Sequence, residues 1–325
     1  MHKKEKNESA AYKELAERIR RDKIRDQAGL NRLKNEISKK YGLKKIPTNT
    51  EILFNLPEKD VKRLKRILTT KPTRTISGVA VVAIMARPFP CPHKSSPCIY
   101  CPGGVNSAFG DVPQSYTGKE PATRRAIRNM YDPYLQVMNR LEQYIALNQD
   151  ISKVELIIMG GTFPSFPKRY QDNFISYAFK AMNDFSMMFF NKNEFDFIKF
   201  KDFFDLPGDI SDKGRTKRIH DKLLKIKDKE KAELKKEQLR NEKSMVKCVS
   251  LVIETRPDYA SLKEGNEMLR LGCTKVELGV QTVYDDVLKK IRRGHTVEDS
   301  IKATKTLKDL GFKINYHMMP GLPGV

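Results

Sequence analysis

Apolar runs of strand length recur along this chain, separated by stretches with helical spacing. Residues 78–85 are almost continuously apolar and predict a strand buried on both faces. Residues 154–159 predict a second buried strand, and 249–254, 275–281 and 312–319 predict three further strands. Between these runs, a long helix should start near Pro121 and break at Asp132-Pro133. Residues 167–190 predict a helix whose Phe and Met stripe is core. Helical spacing over 259–271, 284–291 and 297–310 ends at Gly272 and Gly311. Such repeating βα units predict a parallel sheet with helical cover, either barrel-like or doubly wound. Residues 191–247 break the alternation. Their 222–243 segment is nearly all Lys and Glu with sparse Leu and Ile, and predicts an exposed helix or coiled insertion.

The first 75 residues follow a different pattern. Leu15, Ile19, Ile24, Leu30, Leu33 and Ile37 recur among charges, predicting helices over 11–40 with a second one starting at Asn31, after Gly29. Gly42 and Pro47 stop that helix, and Thr48 to Glu51 supplies an N-cap for the next. A further helix is expected from Pro57 through Leu68, carrying Lys62, Arg63, Lys65 and Arg66. Residues 71–75 read as a linker. The expected organisation is a helical basic module over 1–75 and an α/β domain over 76–325, with the charged insertion at about 191–247.

Charge sharpens that division. The formal net charge of the 325 residues is +22. Residues 1–75 hold 22 Lys and Arg against 10 Asp and Glu, so 22 − 10 = +12 of it lies there. An excess of this size predicts a polyanionic partner, nucleic acid first, with a solvated basic surface as the plain alternative. No apolar run is long enough to span a membrane, and the start Met-His-Lys-Lys-Glu-Lys is no secretory signal. Five cysteines, odd in number and mostly clustered, argue against a disulfide framework and for the reducing cytoplasm.

Three of those cysteines, Cys91, Cys98 and Cys101, form a C-x6-C-x2-C loop punctuated by prolines and closed by Gly103-Gly104. Three local thiolates suit a [4Fe–4S] cluster with one iron left open. A zinc half-site, with His93 nearby, and plain structural thiols are the rival readings. Cys248 and Cys273 fall in strand and helix-end settings and read as core.

The loop leaves the carboxyl end of the first strand, where α/β barrels carry their chemistry. The other strand ends deliver Gly160-Gly161-Thr162, then Glu254 to Asp258 with Arg256 among them, then Gln281-Thr282, then His317 with Pro320-Gly321. Single members have plain explanations: Glu254 and Arg256 could simply pair, and the glycines could only turn the chain. Together they predict a site.

These features resemble the radical S-adenosylmethionine enzymes. Tyr100 before Cys101 matches their C-x-aromatic-C ending, and Gly160-Gly161-Thr162 stands where their Gly-Gly-Glu motif lies, with Thr in place of Glu. The six-residue first cysteine spacing also departs from the usual three. Both departures, with Gln114-Ser115-Tyr116-Thr117-Gly118, Ile253-Glu254-Thr255-Arg256-Pro257-Asp258-Tyr259, Arg293-Gly294-His295-Thr296 and His317-Met318-Met319-Pro320, closely resemble the catalytic subunit of Elongator. The likeness covers about residues 45–325 outside the insertion.

The resemblance implies a partial (β/α) barrel of the radical S-adenosylmethionine type and modification of the wobble uridine of tRNA. Cys91, Cys98 and Cys101 would hold the cluster and S-adenosylmethionine would chelate its open iron. Tyr100, Gly160, Gly161, Thr162, Glu254, Arg256 and Gln281 would contact that cofactor, and Lys153 stands where the family places a lysine near acetyl-CoA. A 5′-deoxyadenosyl radical would activate acetyl-CoA for carboxymethylation of uridine 34 at C5. The implied partner is tRNA around its anticodon stem-loop, with a homodimer or Elongator-like subunits left open. That family also carries zinc-binding cysteines and an acetyltransferase domain that this sequence does not reach, so the expectation is a fragment, inactive by itself. Another radical RNA-modifying enzyme, or a non-catalytic cluster- or zinc-stabilised tRNA-binding module, are the alternatives.

Overall fold

The computed structural model describes residues 2–56, 60–61, 64, 67–93, 98–208 and 212–323. Lys62, Arg63, Lys65 and Arg66 of the expected 57–68 helix lie outside the described residues, as does the 94–97 part of the cysteine loop. The chain divides into two compact units: residues 1–80, 141–151 and 189–223 in one, and 81–140, 152–188 and 224–325 in the other.

The first unit opens with α1 (His2–Arg21), α2 (Gln27–Tyr41) and α3 (Asn49–Asn55). Leu15, Ile19, Leu30, Leu33 and Ile37, spaced in sequence for one face of each helix, are all buried. The second helix starts earlier than the expected Asn31. Asp26 is its N-cap, accepting from the Gly29 backbone N–H at 2.6 Å, so Gly29 falls inside the first turn. Gly42 closes that helix in the left-handed conformation (φ 59°). Thr48 and Glu51 form the expected capping box of α3.

The second unit is built on a sheet ordered β1 (Ala80–Met85), β2 (Lys153–Met159), β5 (Lys247–Thr255), β6 (Lys275–Gln281) and β7 (Lys313–Met318), with a separate hairpin of β3 (Phe190–Asn191) and β4 (Glu194–Phe195) in the first unit. β2, β5, β6 and β7 pair in parallel. The order follows the chain without reversal, which matches a partial barrel and excludes the doubly wound alternative, whose order reverses at a switch point. β1 lies at one edge, and Gln136 covers it: its Oε1 accepts from the Met85 N–H at 2.8 Å and its Nε2 donates to the Met85 carbonyl at 2.9 Å.

The helix from Pro121 is broken as the sequence predicts. α4 (Pro121–Arg128) and α5 (Pro133–Ala146) flank Met130 and Tyr131, both at positive φ. α6 (Lys168–Phe189) buries Phe174, Ile175, Phe179, Met182 and Phe185, the expected core stripe. α7 (Phe197–Phe203), α8 (Lys213–Lys227) and α9 (Leu234–Glu242) fill the insertion, followed by α10 (Leu262–Arg270), α11 (Asp285–Lys290) and α12 (Val297–Asp309).

The insertion packs into the core before residue 222, and its 222–243 segment, expected as an exposed helix or coiled insertion, is largely exposed or half-buried but anchored at a few positions. Within the first unit, Phe197, Phe200 and Phe204 are core, and Arg215 is buried against Glu142 and the Phe204 carbonyl. Within the second, α9 is bolted to α6: Asn183 donates to Glu237 at 2.8 Å, and Arg240 pairs with Asp184 at 2.7 Å. Charge density alone predicted solvent here. The apolar and paired polar positions are sparse but lie on the inward helix faces, and the long Lys and Glu side chains obscure them.

Candidate active site

The carboxyl ends of β2, β5, β6 and β7 and the cysteine loop surround a cavity of about 370 Å³ in the second unit, within the range of small-molecule sites. Cys91, Cys98, Cys101, Tyr100, Gly161, Thr162, Glu254, Arg256 and Gln281 all line it. Gly160 stands just behind: at φ 109°, a Cβ there would lie 3.1 Å from both the backbone N and O of Ala86, beyond the end of β1. Glycine is thus required for close packing of two chain segments as much as for ligand approach. Lys153 is not brought to the cavity. It begins β2, exposed, about 20 Å of extended strand from the glycine end.

Several lining residues were given no site role in the sequence, although Gln114 to Tyr116 belong to a motif quoted for the family resemblance. Gln114, Ser115 and Tyr116 reach the cavity because two glycine pairs make room for them. A Cβ on Gly103 would sit 1.7 Å from the Tyr116 carbonyl oxygen, one on Gly104 2.5 Å from Gln114 Oε1, and one on Gly161 3.3 Å from Gln114 Cβ. Glu277 and Gly279 share the inward face of β6 with Gln281; period-two spacing from Gln281 was the signal that could have found them. Arg293 and Met319 carry no such periodic signal, only their place in the 293–296 and 317–320 family motifs.

One wall is acidic. His317 Nε2 and Glu277 Oε2 are 3.1 Å apart, and Glu254 joins them with ligand atoms all within 4.8 Å. Burial, reinforced by Glu277, pushes the half-buried Glu254 carboxyl up to about 7, against the opposing pull of His317. The His317 contact holds Glu277 below the usual carboxylate range and raises His317 in return. Tyr116 donates to Glu254, and burial raises that phenol strongly.

The opposite wall is the thiol loop. The cysteines are free thiols. Cys91 Sγ accepts from the His93 backbone N–H at 3.4 Å, and burial raises this thiol. Gln114 Nε2 donates to Cys101 Sγ at 3.6 Å. Arg256 and Arg293 each direct an N–H to Cys98 Sγ, at 3.9 and 3.8 Å. The donors fit an iron–sulfur cluster better than a single zinc ion. Tetrahedral zinc with bonds of about 2.3 Å gathers its sulfurs within about 4 Å. Among the described residues only Glu254, Glu277 and His317 form a group of ligand atoms all within 4.8 Å, so at least one pair of the three sulfurs is spread wider, as thiolates on separate irons of a cluster are. Cys248 and Cys273 stand elsewhere, and burial pushes both thiols up to about 12.

A parallel sheet in barrel order, with a three-cysteine loop after its first strand, defines the class. The family model described as the Radical SAM superfamily matches residues 90–325, and the chain belongs to that superfamily. The family implies a [4Fe–4S] cluster and S-adenosylmethionine. The model described as the ELP3 N-terminal domain matches residues 9–76. Over 99% of this chain and 52% of the relative, it is 43% identical to "tRNA uridine(34) acetyltransferase" of Methanocaldococcus infernus. It is 39% identical to "Elongator complex protein 3" of Saccharomyces cerevisiae over 92% of the chain and 46% of the relative. Among solved structures, the archaeal Methanocaldococcus infernus Elp3 with N-terminus deletion (1-46) is similar at TM-score 0.50 and 36% identity, covering 76% of this chain and 39% of that one. The chain therefore spans about half the length of the curated relatives it matches. Among the described residues no helix is long and apolar enough to cross a membrane.

Proposed function

We propose that this chain is the radical S-adenosylmethionine part of a tRNA uridine(34)-modifying enzyme. The observation that carries the reading is the meeting of Cys91, Cys98 and Cys101 with Gly161, Thr162, Glu254 and Gln281 in one cavity at the carboxyl ends of the strands. Cys91, Cys98 and Cys101 would hold the cluster. When bound, the cluster supplies the electron that splits the sulfonium of S-adenosylmethionine. Gly161 leaves the backbone open to that molecule, and Glu254, protonated below about pH 7, offers it a hydrogen-bond donor as well as an acceptor. Gln281, held at φ 71°, aims its amide into the same space. Tyr100 and Tyr116 line the same cavity with half-buried rings.

The substrate reading rests on the relatives' names and on the basic charge of the chain. Carboxymethylation at C5 with acetyl-CoA as co-substrate is the finer proposal, resting on the resemblance of the motifs. Lys153 faces away from the cavity, so an acetyl-CoA contact there would have to serve a different surface from the one bearing the thiols.

Anaerobic reconstitution with iron and sulfide tests the reading. The expected results are absorption near ~400 nm, cleavage of S-adenosylmethionine under dithionite, and loss of the cluster in Cys98→Ala. A chain that takes up no cluster, or a Cys98→Ala variant that keeps it intact, contradicts the ligand assignment. Product analysis on tRNA with and without acetyl-CoA separates this activity from another radical RNA modification.

A further inference from the structure

Arg256 and Arg293 are both buried beside Cys98, and neither side chain is free to move. Arg256 Nε donates to Asp258 Oδ1 at 2.9 Å, and its Nη2 donates to the Arg293 carbonyl. Arg293 Nη2 donates to the Gly279 carbonyl at 2.9 Å. The Nη1 of each guanidinium points to Cys98 Sγ, while the buried Arg293 Nε has no hydrogen-bond partner among the described residues. Asp258 is fixed in turn by His93, from the cysteine loop itself, at 2.6 Å. Burial works against the Asp258 charge, but Arg256 and His93 outweigh it and hold the carboxyl below its ordinary range. The carboxylate thus supplies one negative charge against two buried guanidiniums. The positive charge left over needs an anion, and Cys98 Sγ is the ionisable acceptor that both guanidiniums share, at 3.9 and 3.8 Å.

Resting on the reading of Cys98 as a cluster ligand, we propose that Arg256 and Arg293 are positioning residues that clamp the Cys98 thiolate and raise the reduction potential of the cluster. Charge-assisted N–H groups on a ligand sulfur stabilise the reduced, more negative cluster over the oxidised one. The two arginines come from different segments, after β5 and after α11, and the Asp258–His93 contact ties the first of them to the loop. Loop position and electron affinity are therefore set by the same linked side chains, Arg256, Arg293, Asp258 and His93.

The test is an EPR-monitored redox titration of the anaerobically reconstituted chain and its variants, with iron and sulfide content measured alongside. Arg293→Gln and Arg256→Gln should each load four irons and titrate at a more negative potential than wild type, and Arg293→Lys should recover most of the shift. A folded, fully loaded neutral variant with the wild-type potential overturns the proposal. A measurement on the wild type keeps the question decidable if those variants do not fold. With arginine labelled by ¹⁵N, pulsed EPR of the reduced cluster should show nitrogen hyperfine coupling from the guanidinium groups, and its absence overturns the clamp. Failure of the wild type to load any cluster is a different result, and overturns the ligand reading beneath it.

Discussion

Glu254, half-buried at the end of β5, keeps a proton in the folded chain that the unfolded chain gives up. Its carboxyl is raised from an ordinary 4.5 to about 7 by burial and by Glu277. Between those values the folded state binds the extra proton, so stability falls as pH rises from about 4.5 through 7. His317, also raised, acts in the same sense: its contribution is full below its ordinary value of 6.5 and is lost above its folded value. Urea denaturation at pH 5 and pH 8 should therefore show wild type losing about 1–3 kcal/mol more than Glu254→Gln across this interval. Equal losses in the two proteins would contradict the buried acid. Gly103 shows a steric constraint of the same scale. With the Tyr116 carbonyl oxygen 1.7 Å from its absent Cβ, Gly103→Ala must displace the 114–116 segment. Circular dichroism should stay near wild type while cluster loading drops severalfold. Full loading would show that the segment moves freely.

At the scale of elements, the insertion is part of the framework. Arg215 on α8 and Glu142 on α5 pair inside the first unit, with side chains 6% and 9% exposed. Removing one partner leaves the other charge buried, so Arg215→Ala should cost about 3–5 kcal/mol in a denaturant titration. A loss below about 1 kcal/mol would mark the pair as a surface contact after all. α9 is joined to α6 through Asp184 and Asn183 in the second unit. The 222–243 segment, read as an exposed Lys and Glu helix, thus carries buried polar ties at α9, while the Arg215 pair lies before it.

For the molecule as a whole, the +22 charge is the governing quantity. If the chain engages tRNA through six or more phosphates, binding should weaken about a thousandfold or more between 50 and 200 mM salt. A filter-binding or fluorescence titration measures the slope, and an affinity that ignores salt would contradict a phosphate-based interface. The two compact units both contribute basic residues, but only the second holds the thiol cavity.

Local chemistry in the sequence determined a good deal. Short apolar runs set between helical stretches read as strands, so the βα alternation was legible, and with it the rule that reactive groups gather at carboxyl strand ends. Cys91, Cys98, Cys101, Gly161, Glu254 and Gln281 followed from that rule and from the family motifs, and the fold brings them together. Tertiary structure alone decided the rest. Sheet order depends on which strands pair, which periodicity does not encode. Arg293 meets Cys98 from 195 residues away, and the room for Tyr116 depends on a missing Cβ at Gly103. The insertion's burial depends on a few side chains among many charges. In each case the deciding interaction joins distant residues, so no local pattern could report it.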